Sequence, residues 1–508
     1  MEIKKIEWNK ADLIFLLIAA VYLYFHLFVL PATPIFHEED HLYFIQDAWR
    51  MYRGEALYRD FFEYTFPGTQ VLYLGLLTLF GTKFWVINAV IFLQGFSISL
   101  ICLAIGKYLF EKSWSAYLPA ALFLFFGFRW FGIDGSHRML SPIFFLLAIL
   151  VLLPSQNRKR IILAGIFCAL SSYFTQQRGF FVVGAIGLFL IIEALKNRTG
   201  FKKWFFDSAI LSVSFLGALL LLLLPFIISA GPEKFFDYTI VFIRDYVQEP
   251  TANYGAYTRV FNVILEQGYF MSAIMVFYYA LIPFVYLVCF LYLWRRKYES
   301  GVLLVALVGA CLALSTFAPT PMRIFQICMP GLIIFVWLID QIKIKGDRAA
   351  KGAVCALVIM GAVLTFRLQM NWENHYLETP TGQLAFLSPV TLERYKWLSE
   401  NAVPGEYVFE VYQCAVNFPL QLPNPTELTF LLDNGYTPQW QVDRAIENLK
   451  EKNPRFIIWD ENWNKEGSER KPGDHLAPLY DYLREKYILE KAFTPYSKRK
   501  MQVWKLKN

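Results

Sequence analysis

Charge is scarce in this chain. Asp, Glu, Lys and Arg make up only 18% of its 508 residues, against about a quarter in a soluble globular protein. Apolar residues reach 56%, aromatics 18%, and mean hydropathy is +0.39. Several runs approach the ~20 apolar residues that cross a bilayer core. The composition excludes an ordinary soluble enzyme and predicts a polytopic membrane protein. Cysteine is scarce too. Six of the seven (Cys102, Cys168, Cys289, Cys311, Cys328 and Cys355) lie in apolar runs, and Cys414 stands alone in the tail. A thiol in such a run behaves as a small hydrophobe. With no CxxC pair there is neither a disulfide framework nor a zinc pattern. Also missing are an internal repeat and a Gly-rich phosphate loop in the tail. The net charge of +7 needs no nucleic acid, because the basic residues gather in short loops.

Those loops set a topology. Eleven spans are expected, near 12–30, 84–108, 115–133, 138–154, 161–176, 179–194, 206–230, 269–293, 301–318, 322–340 and 350–368. The first is too long for a signal-peptide core, and no small-residue cleavage pattern comes after it, so it is expected to stay as a membrane helix. Lys4, Lys5 and Lys10 precede it. Lys107 and Lys112, Arg158-Lys159-Arg160, Lys196 to Lys203, Arg295-Arg296-Lys297 and Lys343 to Lys351 all fall on the same side. The positive-inside rule makes that side cytoplasmic. A Gln176-Gln177-Arg178 kink within one long helix is the alternative, and it would put two basic clusters outside. No glycosylation sequon faces outward. Asn197-Arg198-Thr199 falls inside, and Asn424-Pro425-Thr426 is excluded by its proline, which fits a bacterial cell membrane.

The outward side collects the unusual residues. His37-Glu38-Glu39-Asp40-His41 comes within a few positions of the first span. Carboxylates held that close to hydrocarbon are expensive, so their presence is a functional-site hypothesis. In residues 41–66, Leu42, Ile45, Trp49 and Tyr52 recur at helical spacing. This predicts an amphipathic helix in the membrane interface, ended by Gly54. The plainer reading is a helix packed on the rest of the protein. Pro67-Gly68 then turns the chain into an apolar run, 71–80. Further along lie Asp134-Gly-Ser-His137-Arg138, Gln176-Gln177-Arg178, the loop 231–268 with Tyr246, Tyr254 and Tyr257, and Pro319-Thr320-Pro321-Met322-Arg323. That long loop is read as a lid with hinges at Gly231-Pro232 and Gly255, or as a plain connector. Polar residues that charge bias does not explain thus share one face.

At about residue 371 the composition turns rich in Glu, Lys, Asn and Pro. Strands are expected at 407–411, 456–459 and 501–506, and helices at 390–401, 440–452 and 475–486. Turns are expected at Pro404-Gly405, Asn453-Pro454 and Pro472-Gly473. The alternation predicts a small α/β domain, so the chain divides into a membrane domain, 1–370, and an extracytoplasmic domain, 371–508. Scaffolding or acceptor binding suits that domain better than catalysis.

Residues 39–81 carry an acidic pair, then Ala48, Gly54, Tyr58, Asp60 and Phe61 at fixed spacing, then Pro67-Gly68, then an apolar run ending Phe80-Gly81. This pattern resembles the first outer loop of the GT-C glycosyltransferases of the protein-mannosyltransferase and aminoarabinose-transferase type. The plan of many spans and then an outward α/β tail is similar as well. The resemblance implies a GT-C-like, all-α membrane fold. It also implies inverting transfer of a sugar, hexose or pentose, from a polyprenyl-phosphate donor to an acceptor outside the cell: an envelope glycan, a lipid or a protein. Where the family usually shows Asp-Glu, this chain reads Glu39-Asp40-His41. Aligned backward from Arg50, Asp40 takes the place of the catalytic Asp and His41 that of the Glu after it. A one-residue slip puts Glu39 there instead.

The implied chemistry needs a carboxylate to take the acceptor's proton and cations to hold the departing lipid phosphate. Asp40 is the expected base, and the competing role for it is a helix N-cap. Asp134 is the second acid, competing with a turn role. Arg138, Arg178 and Arg323 stand where chain segments enter the membrane from outside. Arg suits phosphate because its planar fork matches the oxygens and stays charged. An interface arginine reaching toward water is the plain reading for each. His137 reads as a loop hydrogen-bonding residue. No cofactor is expected. A divalent metal at His37, Glu38, Glu39 and His41 is a minor alternative, since these residues are nearly contiguous and have no fixed distant ligand. The rival function is a transporter or lipid flippase, which would carry charge in its span interiors and repeated halves.

Overall fold

The computed structural model describes residues 6–110, 114–198, 201–247, 269–295, 298–316, 321–341, 346–370, 375–411, 414–432, 437–460, 476–493 and 501–507. Tyr254, Tyr257, Gly255, Pro319-Thr320 and Pro472-Gly473, to which the sequence assigns roles, lie outside them. The chain gathers into two compact units. The first holds 1–26, 90–223 and 250–370, and the second 27–89, 224–249 and 371–508.

The first unit is helical. Helix covers each of the eleven expected segments, but six of the described helices are long and apolar enough to cross a membrane alone. These are Lys10–Leu27 (α1), Trp85–Leu109, Gln176–Lys196, Phe201–Ala230, Ser272–Arg295 and Asp347–Gln369. The other five expected segments are shorter or interrupted. His137–Leu152 has 16 residues, and 114–131 is broken by a π-helical turn at Leu122–Phe128. Such turns insert one residue per bulge and re-aim the rest of the helix. Phe201–Ala230 leaves Val213, Leu216, Leu220, Leu221 and Ile228 exposed, an apolar surface suited to lipid rather than water. Inside the unit, small residues allow close approach. A Cβ on Gly165 would stand 2.8 Å from the Leu211 carbonyl oxygen. Asp12, the acid within α1, is buried but compensated. Lys107 pairs with it, Tyr117 Oη donates to it at 2.6 Å, and the Asn9 amide at 2.7 Å.

The second unit contains two four-stranded sheets. Phe28–Val29 (β1) pairs antiparallel with Thr33–Phe36 (β2). β2 runs parallel to Gly382–Phe386 (β4), which forms a hairpin with Tyr376–Thr379 (β3). None of these four strands is expected from sequence. The other sheet has the order β5 (Val408–Glu410), β6 (Phe456–Asp460), β8 (Met501–Leu506), β7 (Tyr487–Phe493). Helices Pro389–Asn401, Gln439–Lys452 and Ala477–Lys486 accompany it. Its core includes Phe409, Val442, Leu449, Ile457, Trp459 and Leu483, joined by Phe62 and Phe242 from distant sequence.

Helix α2 (His41–Tyr52) begins at the acidic cluster, and Gly54 ends it at φ +98°, a backbone conformation glycine adopts without steric cost. It is not the half-exposed interfacial helix that its spacing predicts. Every residue from His41 to Arg50 is buried, Gln46, Asp47 and Arg50 included. Its polar face meets protein instead of headgroups. Thr429 Oγ1 donates to Asp47 Oδ1 at 2.6 Å, and Arg50 Nη1 to the Thr426 carbonyl at 2.9 Å. Helix α3 (Gly68–Phe80) comes after the Pro67-Gly68 turn as expected.

Candidate functional site

Within the second unit, the shared first-loop motif builds a frame around α2. Ala48 is fully buried on that helix. Tyr58 sits at φ +65°, buried, with its hydroxyl donating 2.6 Å to the Thr65 carbonyl and its ring edge-on to Phe226 and Phe235. The Asp60 carboxylate accepts the Ala56 amide at 2.7 Å and pairs with Arg59 at 2.8 Å. Arg59 first, then that amide, hold its pKa down at about 2 despite partial burial. Phe61 lies under the Arg50 guanidinium at 4.3 Å. Arg50 itself pairs with Glu55 at 2.6 Å.

Asp40 occupies the cap position of α2, half-buried, yet its side chain makes no capping hydrogen bond. The helix starts on backbone bonds alone, with Leu42 N donating to Glu39 O and Tyr43 N to Asp40 O, each at 3.1 Å. The cap role that competes with catalysis is therefore not the one its carboxylate performs. Glu39 and Glu38 are exposed. His41 is buried, its Nε2 at 2.9 Å from the His37 carbonyl oxygen. Among the described residues, no three His, Cys, Asp or Glu side chains are grouped to hold a metal ion.

Below this helix lies a buried acid pair that sequence reasoning missed as a pair. Glu63 accepts from Tyr43 Oη, from Gln70 Nε2 at 3.0 Å, and from the amides of Tyr64 and Thr65 at 2.7 and 2.6 Å. Burial raises the pKa of both acids. Asp47 goes well above the usual range because Glu63 stands beside it, while the donors around Glu63 work against its rise. Two carboxylates this buried and this close favour sharing one proton over ionising together. No spacing rule marks two acids sixteen residues apart as neighbours.

The first unit sets the three predicted arginines within electrostatic reach of one another. Arg138 is the second residue of the His137–Leu152 helix and Arg178 the third of the Gln176–Lys196 helix. Arg323 lies in the short Pro321–Ile327 helix. All three charges act on His137, and Arg138 and Arg323 act on Arg178. Arg178 is buried. Its guanidinium donates to the Arg138 carbonyl and, at 3.3 Å, to Gln326 Oε1. The Gln326 Nε2 is buried with no described partner. Gln326 is a second residue missed from sequence, although it stands three positions after Arg323, one helical turn on. Two helix N-termini, with their partial positive charge, lie in the same cluster. Guanidinium groups gathered this way repel one another, and an anion among them relieves that repulsion.

Gly179 makes the gathering possible. A Cβ there would fall 2.0 Å from the Cys168 carbonyl oxygen and 2.3 Å from Ser172 Oγ. Asp134, also in this unit, is fully buried. Its carboxylate accepts from the Ser136 amide at 3.0 Å and the Ser136 hydroxyl at 2.5 Å, and Gln94 Nε2 donates to its backbone carbonyl at 2.5 Å. Ser136 in turn caps the helix carrying Arg138. Asp134 thus performs the turn role, one step from the arginine cluster.

No protein-family model matches this sequence, and no curated protein matches it. Solved structures do. ArnT from Cupriavidus metallidurans bound to undecaprenyl phosphate superposes with a TM-score of 0.60 at 12% identity, covering 97% of each chain. The same protein in its apo state gives 0.59 at 13% identity, again over 97% of both chains. The likeness is one of fold, and it agrees with the GT-C resemblance of the first-loop motif.

Proposed function

We propose that this chain is an integral membrane glycosyltransferase that takes a sugar from a polyprenyl-phosphate donor and transfers it, with inversion, on the outer side of the cell membrane. The observation that carries this reading is the convergence of Arg138, Arg178 and Arg323 around His137. It occurs in a fold shared with a protein that binds undecaprenyl phosphate. Asp40 takes the proton of the acceptor hydroxyl as that oxygen attacks the anomeric carbon. The bond from that carbon to the phosphate oxygen breaks, and the arginines hold the phosphate as it gains charge. Asp134 supports the site by fixing the turn ahead of Arg138. Glu39, exposed and one residue away, is the alternative base. Residues 371–508 stand outside the cell with the first loop, and the N-terminus stands inside.

The test is donor consumption by membranes carrying the wild type, Asp40→Asn or Arg178→Met, supplied with radiolabelled polyprenyl-phosphate sugars and cell-envelope acceptors. Wild-type turnover of one donor is expected, with Asp40→Asn at least a hundredfold slower and still able to bind the lipid. Arg178→Met is expected to lose lipid binding. Full turnover in Asp40→Asn moves the base to Glu39. No turnover with any donor returns the transporter reading, and lipid flipping becomes the assay.

A further inference from the structure

The four residues His37 to Asp40 bridge two anchors, and both anchors rest on the C-terminal segment. Upstream, β2 lies in register with β4, Ile35 opposite Ala385 and Phe36 opposite Phe386. The Phe36 ring packs on Phe386 and Tyr395, with centroids at 5.0 and 4.9 Å. Downstream, α2 is held by Thr429 and the Thr426 carbonyl. Within the bridge, Glu38 Oε1 meets Arg394 Nη2 at 2.8 Å. Arg394 is 4% exposed. Burial works against its charge, but Glu38 and the buried Glu410 outweigh it and hold its pKa above the ordinary arginine value. Glu410 is fixed in turn by the Val416 amide at 2.9 Å. A buried guanidinium is costly to leave without the carboxylate it contacts. That makes it a rigid post two residues from Asp40.

We infer that the C-terminal segment positions the base: Arg394, through Glu38, is a positioning residue that fixes where the Asp40 carboxylate stands. The inference rests on Asp40 being the base, and it assigns the tail a part in turnover without any contact with the reacting atoms. A loop without this post would sample many placements, and small misplacements of a base are expensive in rate.

The test uses the full-length protein in lipid nanodiscs, with Glu38→Gln as the mild variant, Arg394→Met as the severe one and Arg394→Lys as the conservative one. Glu38→Gln keeps the size of the side chain and leaves the buried Glu410 charge acting on Arg394, so it is the milder change. Expected are a tenfold or greater fall in kcat for Glu38→Gln with KM for the donor lipid within twofold, and partial recovery in Arg394→Lys relative to Arg394→Met. The double variant Glu38→Gln/Arg394→Met should be no worse than Arg394→Met alone. Hydrogen exchange of the amides of 37–44 should quicken in both single variants while exchange in β6 stays unchanged. Wild-type kcat in Glu38→Gln, or unchanged exchange at 37–44, overturns the proposal. Faster exchange with Asp40→Asn still fully active upholds the post but removes the base from Asp40, so failure of the two readings is told apart.

Discussion

At the residue scale, position 179 decides whether Arg178 can stand where it does. Gly179 is a point of close approach between the Arg158–Phe174 and Gln176–Lys196 helices, and an added methyl has no room. Gly179→Ala is expected to destabilise the protein by about 1–3 kcal/mol through overpacking, read as a lower thermal midpoint in detergent. Polyprenyl-phosphate binding is expected to fall with it, because Arg178 is the residue next to the point of overpacking. The arginines were legible in the sequence as cations where segments enter the membrane, since charge at such places is rare enough to be noticed. Gln326 was not, because an amide in an apolar helix carries no charge signal. Asp40 was legible by position, but that its carboxylate leaves the helix uncapped needed coordinates.

At the element scale, α2 explains why half of the first loop was readable and half was not. A 3.6-residue pattern reveals that a helix has a polar face. It does not say whether water, headgroups or other protein meets that face. Here protein does, and the cost of burying Asp47 and Glu63 side by side is met by one shared proton and the donors around Glu63. The pH consequence has a definite sign. Asp47 binds its proton more tightly folded than unfolded. Its contribution is therefore fully present below the unfolded carboxyl value, ~3.9, and is lost as pH rises through the folded value. Asp47→Asn should flatten that alkaline loss, measured as thermal midpoint against pH. Glu63→Gln should lower stability by about 2 kcal/mol or more where Glu63 is ionised, because amides and hydroxyls that donate to a carboxylate lose a charged acceptor, and by less at pH low enough to protonate it. Equal pH profiles for wild type and Asp47→Asn would count against the shared proton.

At the scale of the whole molecule, the sequence-derived topology makes a prediction that compactness alone does not. A cysteine introduced at exposed Glu400 should react with an impermeant maleimide in intact cells. One at exposed Lys159 should react only after permeabilisation. The reverse result inverts the chain in the membrane and removes the outward site. The apolar runs, the basic loops and the strands at 408–410, 456–460 and 501–506 were all legible, because each is a local pattern. The sheet uniting β2 with β4 was not, because its partners lie some 350 residues apart and no local rule pairs them.

That distance has a consequence for how the protein comes into being. The helix beginning at His41 is made first, and β4, Arg394, Thr426 and Thr429 leave the ribosome roughly 340 or more residues after it. Until then Asp47, Arg50 and Glu38 lack their counterparts, and such late, non-local pairings close slowly. A message cut short anywhere before codon 430 yields a product whose first loop is unfinished, however well its apolar helices have inserted. Copies lacking those residues would leave the polar face of that helix without these partners.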